Sequence, residues 1–241
     1  AGLELTGGRR RGAVGGGWQD PGMTAHASDY AWLDSGEFAT LTEAYCLTMV
    51  EGVSAGELLR RFGAAPGRRV TGTPEVLAAW DRYEDGGDTG EDGDGHGDEA
   101  LDGDEELLLV AVAELDGWAV ALEVNGYLGT SWGLLPRLAE GSRLVSHFRN
   151  VNAVDHFHWQ EGERHRLHFE PLFPADRDGA DADAVAELLT AVGFDLSTAE
   201  GRGIDRTTPA AFALGEELTG LRLIPERLRA AEFVIGYAPV P

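Results

Sequence analysis

Apolar and polar residues alternate along several segments of the chain with the period of two that is typical of half-buried strands. Residues 107–114 and 118–124 flank Asp116-Gly117, a preferred turn dipeptide, and therefore predict an antiparallel hairpin. The apolar run at residues 45–50 predicts an earlier strand. Three later strands are predicted at residues 144–148, 154–160 and 164–170.

Other segments carry the start and stop signals of helices. Ser54 and Glu57 form a capping box for a helix that runs to Phe62 and ends before Gly63. Thr73-Pro74 predicts a second helix, with the threonine as its cap and the proline in the first helical position. Later helices are predicted within residues 185–192, 208–220 and 223–231.

The order of these elements favours one fold class. Strands in succession followed by helices, without regular strand–helix alternation, are typical of α+β domains. We therefore predict an antiparallel β-sheet, largely a meander, with helices packed mainly on one face. Residues 28–241 are predicted to form this single α+β domain. Residues 1–27 are rich in glycine and arginine without apolar periodicity, and predict a disordered N-terminal extension.

Charge changes the picture in one segment of this domain. Of the 23 residues at 84–106, 12 are acidic and seven are glycine, so this segment predicts a disordered acidic insert. The whole chain carries a net charge of −23. Such a chain repels phosphate backbones and anionic lipid surfaces, and we expect neither nucleic acid nor a membrane as its partner.

Cysteine content and hydropathy bear on the cellular compartment. Cys46 is the only cysteine in the sequence, which excludes an intramolecular disulfide. No apolar run approaches the roughly 18 residues of a membrane span. The arginines at residues 9–11 are not followed by the apolar stretch of a secretory signal. We therefore expect a cytoplasmic protein, and the sequence leaves its oligomeric state open.

Two short segments resemble functional motifs but lack the context those motifs require. Residues 129–133, GTSWG, match the nucleophile elbow of hydrolases, yet the neighbouring strands are predicted to be antiparallel. Residues 92–97, DGDGHG, resemble the start of a calcium loop but lack its terminal carboxylate and flanking helices. We interpret the first as an ordinary loop and the second as part of a solvated spacer.

Histidines gather on two of the predicted strands. With a three-residue turn at residues 161–163, His156 opposes His168 and His158 opposes Arg166 on one face. Arginine on the same face would repel a cation, so solvent-exposed polar side chains are the favoured interpretation. Zinc or another divalent metal is the alternative, with ligands drawn from His156, His158, His168 and Glu170.

Polar and aromatic side chains cluster where two other predicted strands end. Residues 125–127 and 149–152 follow strands of the same predicted sheet. Loop residues held by a rigid sheet commonly form binding sites. We predict a partner or ligand site here, with the arginine guanidinium as the central group. In the alternative interpretation the asparagines stabilise turns and the arginine pairs with a carboxylate within the fold. The residues are Asn125, Tyr127, Arg149, Asn150 and Asn152.

Three motifs in this region carry a family resemblance. They are EVNGYLG at residues 123–129, SHFRNVNA at 146–153 and FEPLFP at 169–174. In order and spacing the chain resembles an uncharacterised actinobacterial family described only as a domain of unknown function. The similarity extends over approximately residues 28–220, excluding the acidic insert. The resemblance implies no activity, cofactor or catalytic residue.

These observations favour a binding protein over an enzyme. We expect a protein partner of basic character and no cofactor, because an acidic surface accelerates encounter with a basic one. An accessory or immunity-like protein in a bacterial conflict or signalling locus fits this description. The alternative function is a metal-dependent enzyme that uses the histidine-rich sheet face.

Overall fold

The structure, a computed structural model, describes residues 24–85, 106–197 and 206–241. Within these ranges one antiparallel sheet of nine strands is covered by helices, which confirms the predicted α+β class. The strands are β1 (Tyr45–Glu51), β2 (Arg69–Thr71), β3 (Leu107–Leu115), β4 (Trp118–Val124), β5 (Arg143–Arg149), β6 (Asp155–Glu161), β7 (Arg164–Phe169), β8 (Arg177–Asp178) and β9 (Glu232–Pro239). The helices are α1 (Gly36–Leu41), α2 (Ala55–Phe62), α3 (Gly72–Glu84), α4 (Leu135–Leu138), α5 (Ala186–Val192), α6 (Thr207–Thr219) and α7 (Pro225–Ala230). Two 3-10 helices span Ala27–Asp34 and Leu128–Thr130.

The spatial order of the strands is β2, β9, β3, β4, β1, β5, β6, β7, β8, and every neighbouring pair is antiparallel. Strands β5, β6 and β7 form a meander as predicted, which the unpredicted strand β8 extends, and β3 and β4 form the predicted hairpin. However, β1 lies between β4 and β5, and the C-terminal strand β9 lies between β2 and β3. β9 is absent from the sequence prediction because Phe233, Val234 and Ile235 are all buried, so the alternation of half-buried strands is missing.

Successive side chains of the central strands point into two separate cores. Tyr45, Leu47 and Met49 face the larger core, which is covered by the first 3-10 helix and by α1, α3, α5, α6 and α7. Val50 faces the smaller core, which is covered by α2, α4 and the second 3-10 helix. The helices therefore pack mainly on one face of the sheet, as predicted.

The helix boundaries follow local chemistry in one case and tertiary packing in another. At α2 the Ser54 hydroxyl accepts a hydrogen bond from the Glu57 amide at 3.2 Å, and Gly63 ends the helix at φ 90°. This confirms the predicted Ser54 cap and the stop at Gly63, whereas the Glu57 carboxylate contacts Arg60 and Arg61 instead of closing the predicted capping box. At α3 the predicted cap at Thr73 is wrong, because the helix begins at Gly72 and Thr73 is buried inside it. Gly72 has φ 80° and packs against the carbonyl of Arg229, where a side chain has no room.

The described fold begins before the predicted boundary at residue 28. Ala25 and Ala27 are buried, and the Ala25 amide donates to Glu217 Oε1 at 2.7 Å. Residues 24–27 are therefore part of the packed structure, whereas residues 1–23 of the predicted extension lie outside the described residues. Residues 86–105 of the predicted acidic insert also lie outside them; Glu84 ends α3 and Glu106 immediately precedes β3.

Candidate functional site

The loops that carry the sequence-predicted binding residues meet at one end of the sheet. Tyr45, the first residue of β1, pairs with Val124 of β4 on one side and with Arg149 of β5 on the other. The segments that follow β4 and β5 are therefore separated by two strand spacings, about 10 Å. The antiparallel order also places the segment after β7 at this end. The three family motifs are thus brought together by the topology.

Exposed apolar side chains are concentrated here. We use the name strand-end surface for the following residues: Asn125, Tyr127, Asn150, Val151, Asn152, Val154 and Phe173. Among the described residues, five large hydrophobic side chains are exposed, and four of these belong to the strand-end surface. Val151 is the most exposed of them at 73%. A shallow cavity of about 310 Å³ lies beside it and is lined in part by Glu43 and Arg149.

The asparagines of this surface shape its loops. Asn125 has φ 52°, a conformation that asparagine tolerates better than most residues. The backbone N–H of Asn125 donates to the Ala44 carbonyl at 2.9 Å. The Asn150 side-chain oxygen accepts hydrogen bonds from the Asn152 and Val154 amides at 2.9 and 3.0 Å. These contacts hold the β5–β6 turn, so Asn150 has the turn-stabilising role while Asn152 is exposed.

Arg149 faces the interior rather than the solvent. Its guanidinium lies 3.2 Å from Asp155 Oδ2 and 3.3 Å from the Thr207 hydroxyl, and its side chain is 14% exposed. Asp155 is completely buried, and its Oδ1 atom lies 2.6 Å from His147 Nε2. His147 Nδ1 in turn lies 2.6 Å from the Tyr45 hydroxyl oxygen. Of the two roles weighed for Arg149, the geometry favours the internal ion pair.

We call these five residues, Tyr45, His147, Arg149, Asp155 and Thr207, the strand-end network. Sequence reasoning did not bring them together, because they come from β1, β5, β6 and α6 and share no local spacing. Burial raises the pKa of the Tyr45 phenol well above its ordinary value, which keeps the hydroxyl protonated. The network joins three strands to α6 directly beneath the exposed loops. These contacts hold the exposed loops in position.

A buried carboxylate holds the loop that carries Tyr127. Glu123 Oε2 accepts a hydrogen bond from the Leu128 amide at 2.8 Å, and Oε1 accepts one from the Gly129 amide at 2.9 Å. Burial raises the pKa of Glu123 to about 7, although the backbone donors oppose the shift. A Cβ on Gly129 would lie 1.8 Å from the Thr48 hydroxyl oxygen, so this close approach requires glycine.

Neither the serine loop nor the single cysteine forms a nucleophilic site. Ser131 follows a 3-10 helix beside an antiparallel sheet, so the GTSWG segment is not a strand-to-helix elbow of the hydrolase kind. Cys46 is fully buried, and burial raises the pKa of its thiol well above the ordinary value. A thiol that stays protonated is a poor nucleophile.

The predicted pairing of the histidine strands is wrong in register. Glu161 pairs with Arg164 and His158 pairs with His168, and a bulge opposite Trp159 and Gln160 leaves Arg166 unpaired on β7. The Arg166 guanidinium consequently lies over the Trp159 ring at 4.7 Å, in contact with acidic side chains on that face. The arginine expected to repel a cation is therefore removed from the histidine face, and His165 takes its place.

We use the name histidine face for the four residues His156, His158, His165 and His168. The Trp132 side chain covers this face. The Trp132 ring lies 4.9 Å from those of His158 and His165 and 5.1 Å from that of His168. The rings of His158 and His168 are stacked at 4.5 Å. His158 is buried, and burial followed by the neighbouring histidines lowers its pKa to about 2.

The side chains of the histidine face do not already converge on one metal-binding position. Across residues 24–85, 106–197 and 206–241, no three histidine, cysteine, aspartate or glutamate side chains are already grouped so as to hold a metal ion. The sequence-predicted ligands His156, His158 and His168 do share the face, and Glu170 follows β7 beside them. In the same described ranges no helix is long and apolar enough to cross a membrane.

Fold and site together define an α+β domain whose central antiparallel sheet presents exposed apolar side chains on the loops at one end. The model of the family DUF6461, a family of unknown function, matches residues 23–241, and the chain belongs to this family. The resemblance to a domain family of unknown function is thereby confirmed. Searches of curated proteins and of solved structures found no match.

Proposed function

We propose that this chain is a binding protein and that the strand-end surface receives a protein partner of basic character. The observation that carries the proposal is the concentration of exposed apolar side chains at this one end of the sheet. Solvent-exposed apolar groups that gather in one area, rather than lying singly, are typical of interaction sites. Tyr127 adds an aromatic side chain with a polar tip, which suits an interface.

Charge supports the choice of a basic partner. The chain carries a net charge of −23, and complementary charge accelerates encounter and disfavours acidic competitors. Glu43 is exposed and lines the cavity beside Val151, whereas Arg149, which also lines this cavity, is paired with Asp155. An arginine or lysine of the partner that enters this cavity would meet the Glu43 carboxylate while its neighbours cover Val151.

The support beneath the surface suits binding without large rearrangement. Asn150 holds the β5–β6 turn, Glu123 holds the Tyr127 loop, and the strand-end network joins the underlying strands to α6. Loops that are held in place lose less conformational entropy on association than mobile ones. We propose on this basis an accessory or immunity-type protein of the bacterial cytoplasm that covers a basic partner.

Site-specific photo-crosslinking tests the proposal in the source cell. A photoreactive amino acid replaces Val151, and as a matched control it replaces Trp132, which is also an exposed large side chain but lies on the histidine face. The crosslinked polypeptide is identified by mass spectrometry and purified with the chain. We expect a basic polypeptide at position 151, no such product at position 132, and binding of the purified pair that weakens at least tenfold in Val151→Ser, which removes apolar surface without adding charge.

Three outcomes contradict this proposal. The first is the lack of any product specific to position 151. The second is a product consisting of a second copy of the chain or of an acidic polypeptide. The third is purified binding that Val151→Ser leaves unchanged while Trp132→Ala abolishes it, which would move the interface to the histidine face.

A further inference from the structure

We infer that the histidine face binds one divalent transition-metal ion, with His156, His168 and Glu170 as its protein ligands. Imidazole nitrogen together with carboxylate oxygen is a donor set suited to zinc and its neighbours. This inference goes beyond the proposed protein-binding function, because it concerns a different kind of ligand and different residues.

The spacing of two nitrogen atoms is the first support. His168 Nε2 lies 3.4 Å from His156 Nδ1. Two nitrogen ligands on a tetrahedral zinc ion, each at about 2.0–2.1 Å from the metal, are separated by about 3.4 Å. The same distance is long for a direct N–H···N hydrogen bond. The two rings therefore already have the separation that a shared ion requires and gain little from their direct contact.

The register of the strands supplies the carboxylate. His158 pairs with His168 and Phe157 with Phe169, so continuation of this register past the end of β7 would bring Glu170 opposite His156. The alternation of side chains puts Glu170 on the same side as His168. Glu170 is only partly buried, so rotation of its side chain towards the two nitrogens is the rearrangement that ion binding needs.

The surrounding charges favour a cation. Arg166 lies over Trp159 on the other face because of the bulge in β7. Asp178 lies 3.8 Å from His168 Nδ1 and 3.0 Å from His165 Nε2. A carboxylate beside Nδ1 leaves Nε2 of His168 as the coordinating nitrogen, which is the arrangement commonly found behind histidine ligands of zinc.

His158 gives a separate indication that the face takes a ligand. Its Nδ1 atom is buried and has no hydrogen-bond partner among the residues that the structure describes. Buried polar atoms in folded proteins are nearly always paired with protein or with an ordered water. A metal-bound water that donates to His158 Nδ1 would give this buried nitrogen a hydrogen-bond partner.

Titration of the full-length chain with zinc chloride, followed by calorimetry, tests the inference. We expect one equivalent to bind, and His156→Ala, His168→Ala and Glu170→Gln each to lower the affinity at least tenfold. His26→Ala is the matched control, because His26 is exposed and lies outside the histidine face. It should keep the wild-type affinity. Cobalt(II) in place of zinc should give the visible absorption of a tetrahedral site.

A readout on the wild-type chain covers the case in which an alanine variant fails to fold. Zinc should shift the ring NMR signals of His156 and His168 at the first equivalent and leave that of His26 in place. Binding of equal strength in both histidine variants would assign the zinc to the acidic segment of the sequence and overturn the inference. Absence of binding at one equivalent, or unchanged ring signals, would overturn it as well.

Discussion

At the scale of single residues, Glu123 couples the strand-end surface to proton binding. Its carboxylate accepts two backbone hydrogen bonds from the loop that carries Tyr127, yet it is completely buried. Burial raises the pKa of Glu123 to about 7 from an ordinary value of 4.5. In the unfolded chain the same group loses its proton near the ordinary value. The folded state therefore binds a proton more tightly than the unfolded state between these two values.

The sign of the resulting pH dependence follows from this difference. We predict that the contribution of Glu123 to the free energy of unfolding falls as pH rises from about 4.5 to about 7, by about 3 kcal/mol in total. Glu123→Gln should remove this fall. Urea unfolding of both proteins at pH 5 and pH 8 measures it.

His158 makes the comparison with the variant necessary. Its pKa is lowered to about 2, so its contribution to stability is lost as pH falls below about 6.5, which is the opposite trend. The Glu123→Gln variant retains His158, and the difference between the two pH profiles isolates the glutamate. Parallel profiles for the wild type and the variant would refute the assignment.

Arg149 gives a second prediction at this scale. Its removal leaves the Asp155 carboxylate buried without its guanidinium partner, and breaking a buried pair in this way costs about 3–5 kcal/mol. We expect Arg149→Ala to lower the free energy of unfolding by that amount, measured by chemical denaturation. Arg69→Ala is the matched control: Arg69 forms a largely exposed pair with Glu232, and its loss should cost less than about 1 kcal/mol.

Arg149→Ala also separates the two roles weighed for this residue. A variant as stable as the wild type that no longer binds the partner would make Arg149 a contact residue. A destabilised variant instead assigns it to the strand-end network. Asp155→Asn in the Arg149→Ala background should restore part of the lost stability, because it removes the unpaired buried charge.

At the scale of elements, the C-terminal strand completes the sheet. β9 pairs with β2 on one side and with β3 on the other, and Phe233 is among the largest fully buried side chains of the described fold. We predict that Phe233→Ala lowers the free energy of unfolding by about 3–5 kcal/mol through lost burial and the cavity left behind. The neighbouring exposed position offers the control, Glu232→Ala, which should leave stability within about 1 kcal/mol of the wild type. Equal unfolding midpoints for the two variants would show that β9 contributes little to the fold.

Elements with strong local signals were predictable from the sequence. The Asp116-Gly117 turn fixes the β3–β4 hairpin, and Ser54 with Gly63 sets both ends of α2, because these residues act through their nearest backbone neighbours. The bulge in β7 was not predictable. Its position decides whether His165 or Arg166 shares the face with His168, and the residue pattern of β7 alone does not locate it.

At the scale of the whole molecule, topology assembles the candidate site. β1, from an earlier part of the chain, lies between β4 and β5 and is antiparallel to both. For this reason β4 and β5 end at the same end of the sheet. The same order puts the FEPLFP segment at that end and joins Thr207 of α6 to Asp155 of β6. Residues 45 and 207 share one network although more than 160 positions separate them in the sequence.

The sequence by itself determined the α+β class, most strand and helix positions and the membership of a family, because these depend on local periodicity, turn chemistry and residue-by-residue similarity. It also singled out the segments that meet at the strand-end surface. Only the tertiary structure decided the position of β1 and β9, the inward direction of Arg149 and the composition of the histidine face. These features depend on contacts between distant segments, whose energies come from burial and register rather than from the order of neighbouring residues.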